Sequence, residues 1–321
     1  MAEQSQERLK LIYLMGAGHI GSTVIDVVLG THPRIESMGE LWKLPQAWLK
    51  GSPRSCACGA SVHDCAFWSQ VRKGWAELAG DDDVARHVVL TQCFEASPAG
   101  WARLLGARAA RGDFAEYVRR NTALYRAIQQ VGGKPFVVES SLSPRRAFVL
   151  AHSPGIDLHL IHLVRDGRGV IWSHQNPAKR GERTSFEPKS TFHTTKYWVT
   201  ANLQSTLVFS RVRAERRLRL RYEDFATEPH AFLARLGAWI GEDLSGLLSA
   251  ARATAEAAPV RHTPGGNRVR LQKQIHVRAD FGWIEHLPER ERRLFWLLAG
   301  WLARGYGYGR EPSAAAAPGR S

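Results

Sequence analysis

The chain has 321 residues, of which 44% are hydrophobic, so it is long enough to bury one large core or two smaller ones. Its formal net charge of +14 favours anionic ligands, but the basic residues are scattered among acidic ones, which does not by itself indicate nucleic-acid binding. The first residues are polar and no apolar run reaches membrane-spanning length, so we expect no signal peptide, no membrane span and a cytoplasmic enzyme or binding protein.

The first predicted elements are a strand, a glycine-rich loop and a helix. An apolar run over 11–15 predicts the strand, and a helical apolar pattern begins at Ser22. Loop amides and the positive end of a helix together favour a bound phosphate. The spacing Gly16-x4-Gly21-Ser22-Thr23 is a phosphate-loop pattern in which Ser22 replaces the usual lysine, which argues against ordinary ATP or GTP hydrolysis. The alternative is a strand-to-helix turn that needs glycine for its backbone conformation alone.

A carboxylate follows the first helix. Pro33 predicts that this helix ends near His32, and Glu40 follows Gly39 at a predicted turn into the next helix. Glu40 is either a carboxylate favoured by the start of a helix or a general base.

A cysteine-containing loop comes next. Residues 51–65 are rich in glycine, proline and serine, and Cys56, Cys58, His63 and Cys65 offer four possible zinc ligands. The Cys-x-Cys spacing is tighter than the usual structural zinc pattern, so the sequence favours a compact loop with free or partly buried thiols and no metal. A mostly helical block over 66–132 follows this loop and is predicted to lie over the sheet.

Two further strands are predicted over 135–139 and 157–164, with a helix beginning at Pro144 between them. His159 and His162 lie three residues apart, so on a strand they point to opposite faces and are not paired ligands.

Arg165 ends the third predicted strand, and Asp166 is placed to cap the following helix. The carboxyl ends of strands are where open α/β sheets bind ligands, and an arginine fork suits a phosphate. The alternative is an ion pair of Arg165 with Asp166 or Glu139.

The second half of the chain alternates helices with loops and one unusual strand. Residues 217–222 alternate arginine with apolar residues, which predicts an edge strand or a strand that faces an anion. The basic glycine loop over 262–270 either closes over a phosphorylated ligand or is a solvated linker. The other predicted elements are a loop over 177–190, helices over 191–213 (with Trp198, Asn202, Leu203, Thr206 and Phe209 on one face), 227–239, 250–258 and 288–304, and a disordered tail over 309–321.

Strands that alternate with helices predict an α/β, P-loop-like three-layer fold, in which helices flank a mostly parallel central sheet. Several motifs in this order resemble the sulfotransferases that use 3′-phosphoadenosine 5′-phosphosulfate, in particular bacterial members related to the carbohydrate and protein-tyrosine branch. The resemblance covers roughly residues 10 to 308, and we interpret 1–308 as one sulfotransferase domain with an insertion at about 41–132. The motifs are Gly21-Ser22-Thr23, Arg165 with Ser173, His32-Pro33 with Gly39-Glu40, Tyr222-Glu223-Asp224, Gly266-Asn267-Arg268, Arg304-Gly305-Tyr306-Gly307, and the run from Cys56 to Trp68.

The resemblance implies a role for each matching residue. The loop residues would hold the 5′-phosphosulfate, Arg165 and Ser173 the 3′-phosphate, and Tyr222 would lie by the adenine, so the first and third predicted strands must end close together. Glu40 would be the base that accepts a proton from the acceptor, a hydroxyl or amine on a small molecule, lipid or glycan, and neither a metal nor nucleic acid would be required. The residues assigned to the donor are Gly18, His19, Ile20, Gly21, Ser22, Thr23, Arg165, Ser173, Tyr222, Asn267 and Arg268.

Two positions depart from the family pattern. His19-Ile20 stands where many members have a lysine or arginine that stabilises the transferring sulfuryl group, so His19 either donates as an imidazolium or is structural. Leu142 occupies a position where relatives often carry lysine, and leucine cannot donate. The alternative functions are a nucleotide or small-molecule kinase that uses the same loop, and a non-enzymatic protein that binds anions or nucleic acid.

Overall fold

The computed structural model of the chain describes residues 8–49, 52, 54–106, 112–176, 188–252, 261–266, 268–272 and 280–312. Within these ranges, five strands form one sheet in the order β2-β3-β1-β4-β5, and all four pairings are parallel. The strands are β1 (Leu9–Met15), β2 (Ile35–Ser37), β3 (Phe136–Leu142), β4 (Ile156–Val164) and β5 (Arg217–Arg221).

Helices connect and cover these strands. The α-helices are α1 (Ser22–Leu29), α2 (Leu44–Ala47), α3 (Ala66–Ala79), α4 (Val84–Thr91), α5 (Gly100–Gly106), α6 (Gly112–Gly132), α7 (Pro144–Ala151), α8 (Gly167–Gln175), α9 (Thr191–Phe209), α10 (Tyr222–Thr227), α11 (Pro229–Ile240), α12 (Leu247–Arg252), α13 (Trp283–His286) and α14 (Glu289–Gly305). Shorter helical turns are the 3-10 segments Leu41–Lys43, Ala214–Arg216 and Arg268–Leu271 and the π segment Gln92–Ala96.

The strands are apolar on both faces because helices cover both sides of the sheet. On β1, Leu11 and Tyr13 belong to the core that α3, α6 and α7 close, whereas Ile12 and Leu14 belong to the core that α1, α11 and α14 close. The predicted α/β fold with three layers and a parallel sheet is therefore confirmed. The segment between β2 and β3 holds α2 to α6, so the helical block over 66–132 lies on one face of the sheet, as predicted.

Several local predictions are also confirmed. Helices begin at Ser22 and Pro144, and the Asp166 carboxylate caps α8 by accepting from the Arg168 amide. His159 contacts Trp239 and His162 contacts Asn202, on opposite faces of β4.

The alternating strand β5 lies at the edge of the sheet, as its sequence predicts. Among the described residues, Arg221 lies 3.5 Å from the Asp224 carboxylate, and aromatic rings lie against the arginines of this strand. The guanidinium of Arg219 stacks over Phe209 and Tyr306, and that of Arg221 over Tyr308. Aromatic rings therefore cover the charged face of this strand.

Other predictions were wrong in detail or lie outside the described residues. Helix α9 ends at Phe209 rather than Arg213, and Leu203, expected on one face with Trp198 and Asn202, is 43% exposed whereas those two residues are buried. Most of the loop over 177–190, residues 253–260, Asn267 and the tail from 313 lie outside the described residues. Residues 309–312 are described, and the Gly309 carbonyl accepts a hydrogen bond from Arg168. No helix in the described part of the chain is long and apolar enough to cross a bilayer.

Candidate anion-binding site at the carboxyl edge of the sheet

The carboxyl ends of β1 and β4 meet because these strands are adjacent and parallel. The glycine loop follows β1, and Arg165 follows β4 directly. The Arg165 guanidinium donates to the His19 carbonyl at 2.7 Å. Two segments that are far apart in sequence therefore form one site.

The loop after β1 needs glycine at two positions. Gly16 has a φ of +154°, and a Cβ there would lie 2.3 Å from the Leu163 carbonyl oxygen. Gly21 has a φ of +78°, and a Cβ there would lie 2.6 Å from the Tyr222 ring. His19 is exposed and also left-handed, with a φ of +64°. Left-handed residues in such a turn shape the backbone concavities that bind anions.

The loop leads into α1, which begins at the buried Ser22. No described side chain caps this helix, so its first amides face the loop cavity without a carboxylate or hydroxyl cap. The Gly18 amide donates to the Tyr197 hydroxyl at 2.7 Å. Tyr197 lies on α9, and burial raises the pKa of its hydroxyl, so it stays a neutral partner for this amide.

Arg165 is buried and binds a carboxylate. Its Nη2 donates to the Asp280 side chain at 2.9 Å, its Nη1 donates to Ser173 Oγ at 3.3 Å, and the Ser173 hydroxyl lies 3.5 Å from the same Asp280 oxygen. The Asp280 carboxylate is thus held between Arg165 and Ser173. Neither expected ion-pair partner contacts Arg165, because Asp166 pairs with Arg168 and Glu139 with Arg146.

Tyr222 connects the two halves of the site. Its ring lies against Gly21 of the loop and 4.4 Å from the Arg165 guanidinium. Its hydroxyl accepts from the Asp280 amide at 3.1 Å. Gly169 leaves room for this arrangement, because a Cβ there would lie 3.0 Å from Arg165 Nε.

Glu40 immediately precedes the 3-10 turn Leu41–Lys43, so the predicted turn into a helix is confirmed. Its amide donates to the Gly265 carbonyl at 3.3 Å, and its half-buried carboxylate lies 4.0 Å from Lys43 Nζ. Burial is the main cause of the raised pKa of Tyr197, and the negative charge of Glu40 raises this pKa further. The Glu40 charge therefore acts electrostatically on the hydroxyl that accepts from the glycine loop.

A cleft of about 360 Å³ opens beside the loop. The Glu95 side chain, only 4% exposed, lines it. One Glu95 oxygen accepts from Tyr117 and Arg146, and the other has no hydrogen-bond partner among the described residues. The residues around the cleft are Gly16, Trp42, Glu95, Ala96, Ser141, Leu142, Ser143, Pro144, Tyr197, Thr200, Ala201 and Gln204.

A second buried carboxyl anchors α1 behind the loop. Burial raises the pKa of Asp26 to about 7 although the Ser140 and Ser37 hydroxyls donate to it. These contacts tie α1 to β2 and β3 and fix the direction of its N-terminus.

The four side chains that the sequence offered as possible zinc ligands do not all come together. Cys56, Cys58 and Cys65 gather at one point, but His63 is exposed and lies outside this group. His262, from the basic glycine loop, takes its place. His63 lies within the turn over 62–64 and is exposed, whereas Cys65 directly precedes α3 and is buried.

Sequence reasoning missed three residues of this region and named two that cannot be placed. Tyr197 and Asp280 contact the loop and Arg165, and His262 joins the cysteines. Asn267 and the side chain of Arg268 lie outside the described residues. The only sequence signal for His262 was that the basic glycine loop over 262–270 contains one histidine.

Comparison with known proteins agrees with this architecture. A model described as "Sulfotransferase family" matches residues 12–246. The sulfotransferase domain of the Synechococcus PCC 7002 olefin synthase superposes with a TM-score of 0.55 at 17% identity, over 97% of this chain and 99% of that one. The sulfotransferase domain of the curacin biosynthetic pathway gives a TM-score of 0.49 at 17% identity, over 91% and 96% of the two chains. A sulfotransferase from Mycobacterium avium gives 0.47 at 15%, over 94% and 78%.

Comparison with curated proteins gave no match. The likeness to the olefin synthase domain supports the fold, and the family model spans well over half of the chain. The chain belongs to the sulfotransferase family.

Proposed function

We propose that the protein transfers a sulfuryl group from 3′-phosphoadenosine 5′-phosphosulfate to a hydroxyl or amine of an acceptor. The observation that supports this donor is the carboxylate of Asp280 between Arg165 and Ser173. Two oxygens of a phosphate present the same acceptors as a carboxylate, so this pocket has the donors that a 3′-phosphate needs. ATP carries no 3′-phosphate and would leave the pocket unused.

The two ends of the donor would occupy the two halves of the site. The amides of residues 18–23 and the hydroxyls of Ser22 and Thr23 are the proposed partners of the 5′-phosphosulfate. Arg165 and Ser173 are the proposed partners of the 3′-phosphate. Tyr222, which contacts both halves, is the proposed neighbour of the adenosine.

Glu40 is the proposed general base. As the acceptor oxygen or nitrogen bonds to sulfur, the bond between sulfur and the bridging phosphate oxygen breaks, and Glu40 takes the acceptor proton. The negative charge that leaves with the phosphate stays on the loop amides. His19, exposed in the loop with its ring 4.3 Å from that of His174, is the proposed side-chain donor to the transferring group.

The cleft beside Gly16 is the proposed acceptor site. It lies between the loop and the helical block, and Trp42 and Leu142 give it an apolar lining. A small molecule, a lipid headgroup or a glycan end fits this description.

The first test supplies labelled donor and an extract of small metabolites, lipids and glycans, and identifies what becomes sulfated. We expect label in a product that the protein-free control lacks. A protein that binds ATP as tightly as the sulfate donor, and labels a product from γ-labelled ATP instead, would be a kinase.

The second test replaces Glu40 by glutamine, which keeps the size and removes the base. We expect kcat to fall by about 100-fold or more, because general-base catalysis typically contributes 10²–10⁴-fold. Binding of the product nucleotide, adenosine 3′,5′-bisphosphate, measured by calorimetry, should stay nearly unchanged. Glu36→Gln, whose carboxylate pairs with Lys134 at 3.3 Å, is the matched control. Equal losses in turnover and nucleotide binding would refute the base role.

A further inference from the structure

Three cysteines and one histidine converge at a point that the proposed reaction does not use. The sulfurs of Cys56, Cys58 and Cys65 and a ring nitrogen of His262 all lie within 4.8 Å of one another. His262 Nδ1 is 3.3 Å from Cys65 Sγ and 3.8 Å from Cys56 Sγ, and the Cys58 and Cys65 sulfurs are 3.6 Å apart. Cys56 and Cys65 are buried.

These separations match the edges of a tetrahedron around zinc. With Zn–S bonds of about 2.3 Å and Zn–N bonds of about 2.0 Å, two ligand atoms of a tetrahedral site lie roughly 3.5–3.8 Å apart. The three measured separations fall within a few tenths of an ångström of that range. A disulfide instead brings two sulfurs to about 2.05 Å. We propose that Cys56, Cys58, Cys65 and His262 bind one structural Zn²⁺ ion.

The backbone around the cluster suits thiolate ligands. The amides of Cys58, Ala60 and Trp68 lie near the sulfurs of Cys56, Cys58 and Cys65, where they favour the thiolate forms. The turn that holds the first two cysteines is closed by the Cys56 amide, which donates to the Ala60 carbonyl at 2.8 Å. Such contacts hold ligands in place around a metal.

The histidine and the charge balance fit the same assignment. The His262 ring stacks on Phe67 at 4.7 Å with an interplanar angle of 4°, which fixes its orientation toward the sulfurs. Three thiolates and a neutral imidazole around Zn²⁺ leave a net charge of −1. Arg270 interacts electrostatically with Cys56 and donates to the Ser55 carbonyl, so a cation offsets that charge.

The ion would join the cysteine loop to the segment 261–266. These two segments also share a hydrogen bond from the Ala57 amide to the Thr263 carbonyl at 3.1 Å. The segment continues to Gly265, whose carbonyl accepts from the Glu40 amide, and a Cβ at Gly265 would lie 2.8 Å from the Glu40 carbonyl oxygen. The zinc site would therefore hold the chain that lies against the backbone of Glu40.

The test measures metal in the full chain, purified without chelators or metal-affinity resin. Mass spectrometry of the metal content should give about one zinc per chain. Cobalt that replaces zinc should give thiolate charge-transfer absorption and the intense visible bands of a tetrahedral site. Both signals should be lost in Cys58→Ser and in His262→Ala. Cys93→Ser, at the cysteine outside the cluster, and His63→Ala, at the histidine of the same loop, should keep them.

A second measurement follows the structural consequence without using activity. Removing zinc with a chelator should speed hydrogen exchange at the amides of Ala57 and Glu40, because both donate to the segment 261–266. Wild-type protein that is folded but binds neither zinc nor cobalt would overturn the proposal. So would a Cys58–Cys65 disulfide in freshly purified protein, or full zinc content in a folded double variant of Cys58 and His262.

Discussion

The two halves of the candidate donor site offer an anion different kinds of donor. The loop after β1 offers backbone amides and the start of α1, and its structural partner is the neutral Tyr197 hydroxyl. The end of β4 offers the buried Arg165 guanidinium, whose partner is the Asp280 carboxylate. The first half carries only partial charges, whereas the second carries a full positive charge that is already paired.

This difference separates the two tasks of binding. A phosphate that enters the loop replaces a neutral hydroxyl, whereas a phosphate that reaches Arg165 replaces an anion. We therefore propose that the loop suits any 5′-phosphate and that Arg165 decides whether a 3′-phosphate is recognised. Two mononucleotides probe the halves independently, since 5′-AMP reports on the loop and 3′-AMP on Arg165.

The largest expected effect comes from removing the charge at β4. In Arg165→Ala, we expect the affinity for 3′-AMP and for adenosine 3′,5′-bisphosphate to fall by about 100-fold, since a hydrogen bond to a charged group contributes about 1.5–3 kcal/mol. The affinity for 5′-AMP should change by less than about threefold. Calorimetric titration with the three nucleotides measures this contrast.

Folding must be checked for this variant because Arg165 is buried. Arg165→Lys keeps the charge and should recover part of the 3′-AMP affinity without the paired hydrogen bonds. Arg213→Ala, at an arginine whose side chain is 84% exposed, serves as the neutral control. Equal losses for 5′-AMP and 3′-AMP in a folded Arg165→Ala protein would show that the two halves do not act separately.

A smaller effect, of opposite sign, is expected from the carboxylate. Asp280→Asn removes the charge that competes with a 3′-phosphate but keeps a polar group beside Ser173. We expect 3′-AMP to bind about tenfold more tightly, because a hydrogen bond to a charged group contributes about 1.5–3 kcal/mol and about 1.4 kcal/mol corresponds to a factor of ten. Titrations at two salt concentrations should show a smaller gain in affinity at the higher salt concentration, because salt screens the repulsion that the substitution removes.

The control for this variant is Asp224→Asn. It neutralises a carboxylate that lies 3.5 Å from Arg221 and two residues after Tyr222. It should leave 3′-AMP binding unchanged. If Asp280→Asn instead weakened binding of 3′-AMP, the carboxylate would be a contact for the nucleotide rather than a competitor.

The sequence predicted the parts of this site that local patterns determine. Strand, glycine loop and helix follow one another over 11–29, and Arg165 directly follows an apolar strand, so periodicity and glycine positions place both halves. The parallel pairing of β1 and β4 then brings them together.

The partners of those halves could not be predicted in the same way. Asp280 and His262 contact residues that lie 115 and 197 positions away, and no local pattern connects them. Tyr197 was missed because α9 carries apolar residues on its exposed side too, with Phe192 60% and Leu203 43% exposed. Periodicity therefore could not separate its two faces, and it placed the exposed Leu203 on the same face as the buried Trp198 and Asn202.

The smallest expected effect is at the loop. Tyr197→Phe removes the hydroxyl that accepts from the Gly18 amide but keeps the ring. We expect 5′-AMP to bind about two- to fivefold more tightly, because one neutral hydrogen bond contributes about 0.5–1.5 kcal/mol net and the phosphate would no longer displace it. The affinity for 3′-AMP should stay constant.

The matched control is Tyr306→Phe, because the Tyr306 hydroxyl bonds Thr206 and the Asn202 carbonyl instead of the loop. Weaker 5′-AMP binding in Tyr197→Phe would mean that the hydroxyl donates to the phosphate, and the loop would then depend on a side chain as the β4 end does.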